Sequence, residues 1–280
     1  MSVGLGLAAR SARTEGIGDW IHMEKKKSLG QHFLHNAHYL SLIADTASLT
    51  EGERVLEVGP GEGALTRELL ARGAKVVAVE KDHRLIPVLK KTFAKEIRKG
   101  QLTVVEGDAL ELSLASLKIR GKYKVVANIP YYITGLLIKK FLSEKRPAAS
   151  LVLLVQKEVA ERIARSKKES ILSLSVKVYG EPKYIKTVPR GAFNPPPKVD
   201  SAILLVSNIS RDNLKDAAAE AKFFTMLKTG FGQKRKLLKR NLEKLLGANT
   251  DIMFTNAGIA DNARAEDLKL SQWLKLNGAK

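Results

Sequence analysis

The sequence predicts an α/β fold, a mostly parallel sheet with an antiparallel hairpin at one edge, followed by a small all-α domain. From Met23 to about Val206, short runs rich in Val and Leu alternate with stretches whose apolar residues recur at helical spacing. These runs are apolar on both faces, which is typical of parallel strands covered by helices on both sides. After Val206 the pattern becomes helical throughout, which indicates a second domain.

The elements follow from local patterns. Five runs predict the parallel strands: residues 54–58, 75–79, 102–105, 123–127 and 151–155. Between the first two, Leu65, Leu69 and Leu70 lie at helical spacing, and Gly73 is placed to end that helix. Two later runs, 184–188 and 202–206, are joined by a Pro-rich segment rather than a helix, so we expect them to form the antiparallel edge hairpin.

We divide the chain into residues 1–22, 23–206 and 207–280. The first segment is rich in Gly, Ala, Ser and Arg without a clear period and precedes a second methionine, so we expect a disordered extension or tag. The last segment contains three predicted helices, near 214–229, 233–246 and 264–276. The middle one carries leucines on one half of a helical wheel and basic residues on the other.

Composition excludes several classes of protein. With 44% hydrophobic and 28% charged residues, the 280-residue chain can bury a core and is not disordered by composition. Its longest aliphatic run, residues 151–155, is far shorter than the roughly 18 apolar residues of a membrane span. The absence of cysteine excludes disulfides and thiolate ligands and fits a reducing compartment. We therefore expect a cytoplasmic monomer without membrane contact.

The charge balance indicates an anionic partner. Lys and Arg number 48 against 29 Asp and Glu, a net charge of +19, and the excess is spread over both halves of the chain. A spread excess suits a large polyanion better than one small phosphate. A generic basic surface remains the alternative.

A glycine loop follows the first strand. The segment 59–64 contains Gly59, Gly61 and Gly63, which allow a sharp turn and the close approach of a ligand. Glu80 ends the next strand, where its carboxylate could accept both hydroxyls of a ribose. This pattern formally matches the dinucleotide fingerprint, so an NAD- or FAD-dependent oxidoreductase is a rival interpretation.

Three features oppose a dinucleotide. Pro60 lacks an N–H that a pyrophosphate would use, and Glu57 and Glu62 add negative charge beside the loop. Asp108, after the third strand, could accept from the amine of an adenine. The acidic residues suit a cofactor that contains adenosine, lacks phosphate and carries positive charge. S-adenosylmethionine fits that description. A plain tight turn without a ligand is the structural alternative.

The fourth strand leads into Asn128-Ile129-Pro130-Tyr131, at the edge of a parallel sheet where ligands bind. The exocyclic amine of a nucleobase is a poor nucleophile, because its lone pair is delocalised into the ring. The amide oxygen of Asn128 and the carbonyl of the 129–130 segment could accept from its two hydrogens and free the lone pair for attack on a sulfonium methyl. Tyr131 could stack on the base.

Five motifs in order carry a resemblance: Gly30-Gln31-His32-Phe33-Leu34, Glu57-Val58-Gly59-Pro60-Gly61, Asn128-Ile129-Pro130-Tyr131, Gln156-Lys157-Glu158-Val159 and the segment 193–201. Together they resemble the small-subunit ribosomal RNA adenine dimethyltransferase family, from about Lys25 to Leu246. The resemblance implies a Rossmann-like class I methyltransferase sheet. It also implies dimethylation of two adjacent adenosines in a hairpin loop near the 3′ end of the small-subunit RNA.

The resemblance also implies residue roles. Asn128 and Tyr131 hold the target adenine, and Phe193 stacks on its other face. Many members have Asn at the position of His32, so a backbone contact is expected there. The implied contacts to S-adenosylmethionine are His32, Leu34, Gly59, Glu80, Asp108 and Asn128, with Gly61 in the same loop.

The remaining polar clusters leave alternatives open. A basic cluster on the predicted second C-terminal helix is either a solvated face or, as we favour, a contact to RNA phosphates: Lys234, Arg235, Lys236, Lys239 and Arg240. His32, His35 and His38 lack a convincing further ligand, so we expect no metal. The alternative functions are a large-subunit RNA methyltransferase of the macrolide-resistance type, the oxidoreductase, and a non-catalytic nucleic-acid-binding factor.

Overall fold

The computed structural model describes residues 32–128 and 130–278. The expectation for residues 1–22 lies outside the described residues, as do the start of the first motif and Ile129 of the tetrapeptide. In the described part, no helix has both the length and the apolar character needed to cross a membrane.

Nine strands form in the described residues. They are β1 (Phe33–Leu34), β2 (Arg54–Val58), β3 (Lys75–Glu80), β4 (Leu102–Glu106), β5 (Lys124–Asn128), β6 (Ser150–Gln156), β7 (Glu181–Val188), β8 (Phe193–Asn194) and β9 (Ser201–Ser207). Seven of them build one sheet in the order β4-β3-β2-β5-β6-β9-β7, while β1 pairs with β8 in a separate two-stranded sheet.

The strand predictions are confirmed. The five predicted parallel strands are β2 to β6, with ends that differ by at most one residue, and all four pairings among them are parallel. The predicted edge hairpin is also present, since β7 and β9 pair antiparallel. Because β9 also pairs antiparallel with β6, it lies inside the sheet and β7 forms the edge.

Helices cover both faces of the sheet. Those of the first part are α1 (Ala37–Thr46), α2 (Ala64–Ala71), α3 (Leu85–Thr92), α4 (Ala94–Arg98), α5 (Thr134–Ser143), α6 (Lys157–Ala164) and α7 (Ile171–Lys177). One apolar cluster joins α1, α2 and α3 to one face through side chains such as Ile43 and Leu69. A second joins α5, α6 and α7 to the other through Leu137 and Ile163. This arrangement explains why the central strands are apolar on both sides.

The C-terminal part is helical, but its elements differ from the prediction. Four helices form there within the described residues: α8 (Ala217–Gly230), α9 (Leu238–Leu246), α10 (Thr250–Ala257) and α11 (Leu270–Leu276). The prediction of a helix from residue 233 is wrong at its start. Residues 233–236 form a turn, Leu237 is extended, and the N–H of Leu238 donates to the carbonyl of Ala263 at 2.9 Å.

The apolar cluster on the α5–α7 face continues into these helices. Phe223 and Trp273 are fully buried in it, and the ring of Phe231 stacks on the indole of Trp273 at 5.8 Å between centroids. The helical part therefore packs on the sheet part through a continuous core.

Candidate active site

A cleft opens at the carboxyl ends of β2, β3 and β5. There the strand order reverses, because β3 and β4 lie on one side of β2 and β5 lies on the other. Such a reversal is where open α/β sheets bind ligands. Every residue predicted for donor binding or catalysis lines this one cleft: His32, Leu34, Gly59, Gly61, Glu80, Asp108, Asn128, Pro130, Tyr131 and Phe193.

The glycine loop makes its own hydrogen bonds. The N–H of Gly59 donates to the carbonyl of Val79, that of Gly61 to the carboxylate of Glu80, and that of Gly63 to the carbonyl of Pro60. Pro60 has no N–H. At these four positions the loop offers no donor to a pyrophosphate, so its geometry opposes a dinucleotide as the sequence suggests.

Two glycines in the loop are required sterically. Gly61 has a φ of +59°, and a Cβ placed there would lie 2.8 Å from a ring carbon of Phe33. Gly63 has a φ of +87°, and a Cβ there would lie 2.3 Å from the ring of Phe93. The packing of Phe33 and Phe93 against the loop therefore leaves no room for a side chain at either position.

Glu80 is held at the end of β3. It is 6% exposed and accepts from the backbone N–H groups of Gly61 at 3.0 Å and Asp82 at 2.9 Å. Burial raises the pKa of this carboxyl above its usual value, against the two backbone hydrogen bonds. Each oxygen accepts one backbone hydrogen bond and has lone-pair capacity left for ligand hydroxyls.

Asp108 is oriented by two donors. The ammonium of Lys81 lies 2.8 Å from one carboxylate oxygen, and the N–H of Leu110 lies 2.8 Å from the other. The hydrogen bond from Lys81 lowers the pKa of Asp108 below its ordinary value. Asp108 is therefore ionised at neutral pH and is a strong acceptor beside the cleft.

The environment of Glu57 differs from the expectation that this residue adds negative charge beside the glycine loop. It is 1% exposed, and one oxygen accepts from the hydroxyl of Thr66 at 2.7 Å, while the other has no hydrogen-bond partner among the described residues. Burial raises the pKa of Glu57 to about 8, opposed by the Thr66 hydrogen bond and assisted by the charge of Glu80. At neutral pH the carboxyl of Glu57 is protonated in most molecules. The expectation that Glu57 adds negative charge beside the loop was therefore wrong.

The tetrapeptide presents one amide and one ring. Asn128 ends β5 half-buried, and its carboxamide makes no hydrogen bond to residues 32–128 or 130–278. Tyr131 begins a turn of 3₁₀ helix, and its hydroxyl lies 2.7 Å from the hydroxyl of Ser201. Burial raises the pKa of Tyr131, so the phenol is neutral. The carboxamide is thus free for a ligand beside a fixed aromatic ring.

The β1–β8 pair closes one wall of the cleft. Phe193 is 5% exposed and lies opposite Leu34, which is 3% exposed. His32 precedes β1, and its Nδ1–H donates to the carbonyl of Pro195 at 2.9 Å, since a carbonyl only accepts. Its ring lies nearly parallel to that of Tyr131, with 6.3 Å between centroids. Phe193 borders the cleft although its side chain is almost fully buried. Its stacking on an adenine stays a prediction.

The predicted RNA-binding residues do not share one helix. Lys234, Arg235 and Lys236 are exposed in the turn before α9, and Arg240 is exposed on the helix itself. Lys239 instead makes ion pairs with Asp251 at 2.6 Å and Asp261 at 2.8 Å. The hydrogen bonds that Lys239 donates to these two aspartates raise its pKa. Four of the five charges therefore face solvent, and the fifth ties α9 to α10 and to the loop after it.

Sequence reasoning missed three residues that shape the site. Ser201 orients Tyr131, Lys81 orients Asp108, and Asp82 gives its N–H to Glu80. Ser201 lies in a quoted motif and Lys81 and Asp82 follow Glu80 directly, but no chemical pattern marks them. Among the described residues, no three His, Cys, Asp or Glu side chains are grouped to hold a metal ion.

Comparison with known proteins agrees with this geometry. The chain matches the family described as ribosomal RNA adenine dimethylase over residues 22–278. A ribosomal RNA small subunit methyltransferase A from Dehalococcoides mccartyi (strain CBDB1) is 41% identical over 263 residues, covering 91% of this chain and 88% of the relative.

Two solved structures share the fold over most of their length. The 23S rRNA methyltransferase ErmE has a TM-score of 0.73 at 27% identity, covering 88% of this chain and 98% of that one. A dimethyladenosine transferase from Plasmodium falciparum has a TM-score of 0.72 at 29% identity, covering 88% and 96%. By family match and by identity, this chain belongs to the ribosomal RNA adenine dimethylase family.

Proposed function

We propose that this chain transfers methyl groups from S-adenosylmethionine to the exocyclic amines of two adjacent adenosines in small-subunit ribosomal RNA. One observation carries the proposal: the residues predicted for the donor and for the adenine all line one cleft at the carboxyl edge of the sheet. Family membership and a 41% identical relative named ribosomal RNA small subunit methyltransferase A support it. Family membership also weighs against the oxidoreductase.

The cleft fits the donor on chemical grounds. S-adenosylmethionine supplies an electrophilic methyl group on a positively charged sulfur. Glu80 accepts from the ribose hydroxyls, and the ionised Asp108 accepts from the adenine amine of the donor. His32 and Leu34 contribute backbone contacts, and Gly59 and Gly61 let the ligand approach. A loop in which the N–H groups of Gly59, Gly61 and Gly63 already donate within the protein suits a donor without phosphate.

The tetrapeptide 128–131 binds and activates the acceptor amine. The free carboxamide oxygen of Asn128 and a carbonyl of the 129–130 segment accept from the two amine hydrogens and draw the nitrogen toward tetrahedral geometry. Tyr131, fixed by Ser201, holds the plane of the base, and Phe193 contacts it from the opposite wall. The proton leaves after the methyl group arrives, so positioning and electrostatics carry the rate.

We place the reaction in the cytoplasm, on the small ribosomal subunit during its assembly, with the chain acting as a monomer. Residues 23–206 form the methyltransferase domain, and residues 207–280 form a helical domain that binds RNA. Lys234, Arg235, Lys236 and Arg240 are the phosphate contacts. Lys239 serves this surface by holding α9 against Asp251 and Asp261.

Tritiated methyl transfer tests the function. We expect label to enter undermethylated small subunits and to appear as dimethyladenosine after nucleoside digestion. The second candidate is a large-subunit enzyme, which the likeness to the 23S rRNA methyltransferase ErmE favours. Label in large-subunit RNA instead of small-subunit RNA would select that candidate, and label in neither particle would refute both.

The basic turn gives a further prediction. Replacing Lys234, Arg235 and Arg240 together by Ala should weaken binding to small subunits at least tenfold at physiological salt, because three phosphate contacts are lost. The dependence of affinity on salt should become shallower, and donor affinity measured by calorimetry should stay within twofold. An unchanged affinity for small subunits would contradict the assignment, whereas equal loss of both affinities would indicate that the variant is misfolded.

A further inference from the structure

The cleft mouth carries an exposed aromatic ring that the donor and the target base do not use. Tyr132 is 65% exposed, although it lines the same cleft as the half-buried Tyr131. Both belong to the 3₁₀ turn Tyr131–Ile133, where successive side chains are rotated by about 120°. The two rings therefore leave the backbone in different directions, Tyr131 toward Ser201 and Tyr132 toward solvent.

The apolar surface continues for one helical turn. Leu136 lies four residues after Tyr132 and is 58% exposed, while the buried residues of α5 lie on its other face. Between them, Gly135 is exposed, and a Cβ added to it would meet nothing within 4 Å. Tyr132, Gly135 and Leu136 thus form an open platform, which we call the mouth platform.

Positive charge follows the mouth platform. Leu136 also borders a shallow depression that contains three lysines and one glutamate: Lys139, Lys140, Lys145 and Glu144. Lys139 and Lys145 are exposed, and within residues 32–128 and 130–278 their ammonium groups have no ion-pair partner. Lys140 donates to the carbonyls of Leu110 and Leu112. An apolar platform bordered by free cations complements a nucleic acid strand, whose bases stack and whose phosphates are anionic.

Building on the proposed function, we infer that the mouth platform is a second base-binding position, which stacks the single-stranded nucleotide next to the adenosine in the cleft. A substrate with two adjacent adenosines presents such a neighbour at each methylation. When one base enters the cleft at Tyr131, the next base leaves its own stack and reaches the ring of Tyr132. The phosphate beyond it lies toward Lys139. Stacking there replaces part of the stacking that extrusion breaks.

Substitution of Tyr132 tests the platform. Tyr132→Ala should raise the KM for undermethylated small subunits about tenfold, since stacking on an aromatic ring contributes an effect of that size per base. The affinity for S-adenosylmethionine should stay within twofold. Tyr132→Trp should restore the KM, because the larger ring also stacks. Ile171→Ala is the matched control, since Ile171 is 39% exposed on α7, outside the proposed RNA-binding domain, and it should leave the KM unchanged.

A binding measurement separates this inference from the proposed function. Fluorescence anisotropy with a single-stranded oligoribonucleotide containing two adjacent adenosines reports on the platform even if no methyl transfer occurs. Tyr132→Ala should weaken this binding about tenfold, and replacing one of the two adenines by an abasic nucleotide should remove the difference between variant and wild type. An unchanged affinity, an equal loss of donor affinity, or a wild-type dimer that Tyr132→Ala dissociates would overturn the inference.

Discussion

Asn128→Ala should lower kcat for methyl transfer by a factor of about 10² to 10³. That is the usual cost of removing one preorganised hydrogen-bonding group from a reacting centre. The carboxamide of Asn128 is half-buried at the end of β5 and has no hydrogen-bond partner in the described chain. Its removal therefore breaks no hydrogen bond within the described residues, and we expect the loss to fall on the activation of the acceptor amine. Single-turnover labelling of undermethylated small subunits measures the effect.

Binding measurements show whether the loss is chemical. Affinity for small subunits should stay within twofold, because other residues hold the RNA. Affinity for S-adenosylmethionine should fall only a few-fold, since Glu80 and Asp108 remain. Asn262→Ala, at an exposed position between α10 and α11, is the matched control and should retain full activity. A variant at Asn128 that keeps more than a tenth of the wild-type kcat would remove this residue from the chemistry.

The sheet was predictable because its signals are local. Continuous apolar runs such as residues 151–155 can be buried on both faces only in a covered sheet, and β6 lies inside one, between β5 and β9. The glycine loop and Asn128 line one cleft for a related reason. Parallel strands bring their carboxyl ends to one edge, so residues after different strands meet there whatever their separation in sequence.

The features that were missed depend on contacts between distant segments. The strands β1 and β8 contain two residues each and exist because Phe33 and Leu34 pair with residues about 160 positions away. The ion pairs of Lys239 arise only once α10 and the loop after it are folded. Nothing local distinguishes such a lysine from its exposed neighbours, so the basic cluster was predicted as one helix face.

Glu57→Gln should make the protein more stable at alkaline pH. The carboxyl of Glu57 is buried, and its pKa of about 8 lies above the ordinary value of 4.5. Between these values the folded state binds a proton that the unfolded state has released. The free energy of unfolding therefore falls as pH rises from about 4.5 to about 8 and stays low above that range. A glutamine is neutral and of similar shape, so it removes this contribution.

The expected size follows from the pKa difference. Each pKa unit corresponds to about 1.4 kcal/mol, and the glutamine amide brings donors of its own that need acceptors. We expect Glu57→Gln to exceed wild type by about 2–4 kcal/mol in the free energy of unfolding at pH 9. The difference at pH 4 should be less than about 1 kcal/mol, because both side chains are neutral there. Urea denaturation at a series of pH values measures it.

The control variant is Glu62→Gln, at an exposed position in the same loop, and its stability should follow wild type at every pH. Some pH dependence should persist in Glu57→Gln, because burial also raises the pKa of Glu80. Parallel curves for Glu57→Gln and wild type would show that Glu57 is already ionised in the folded protein at neutral pH. In that case the buried carboxylates of Glu57 and Glu80 would be charged side by side. A protonated Glu57 instead leaves Glu80 without a second buried charge beside it.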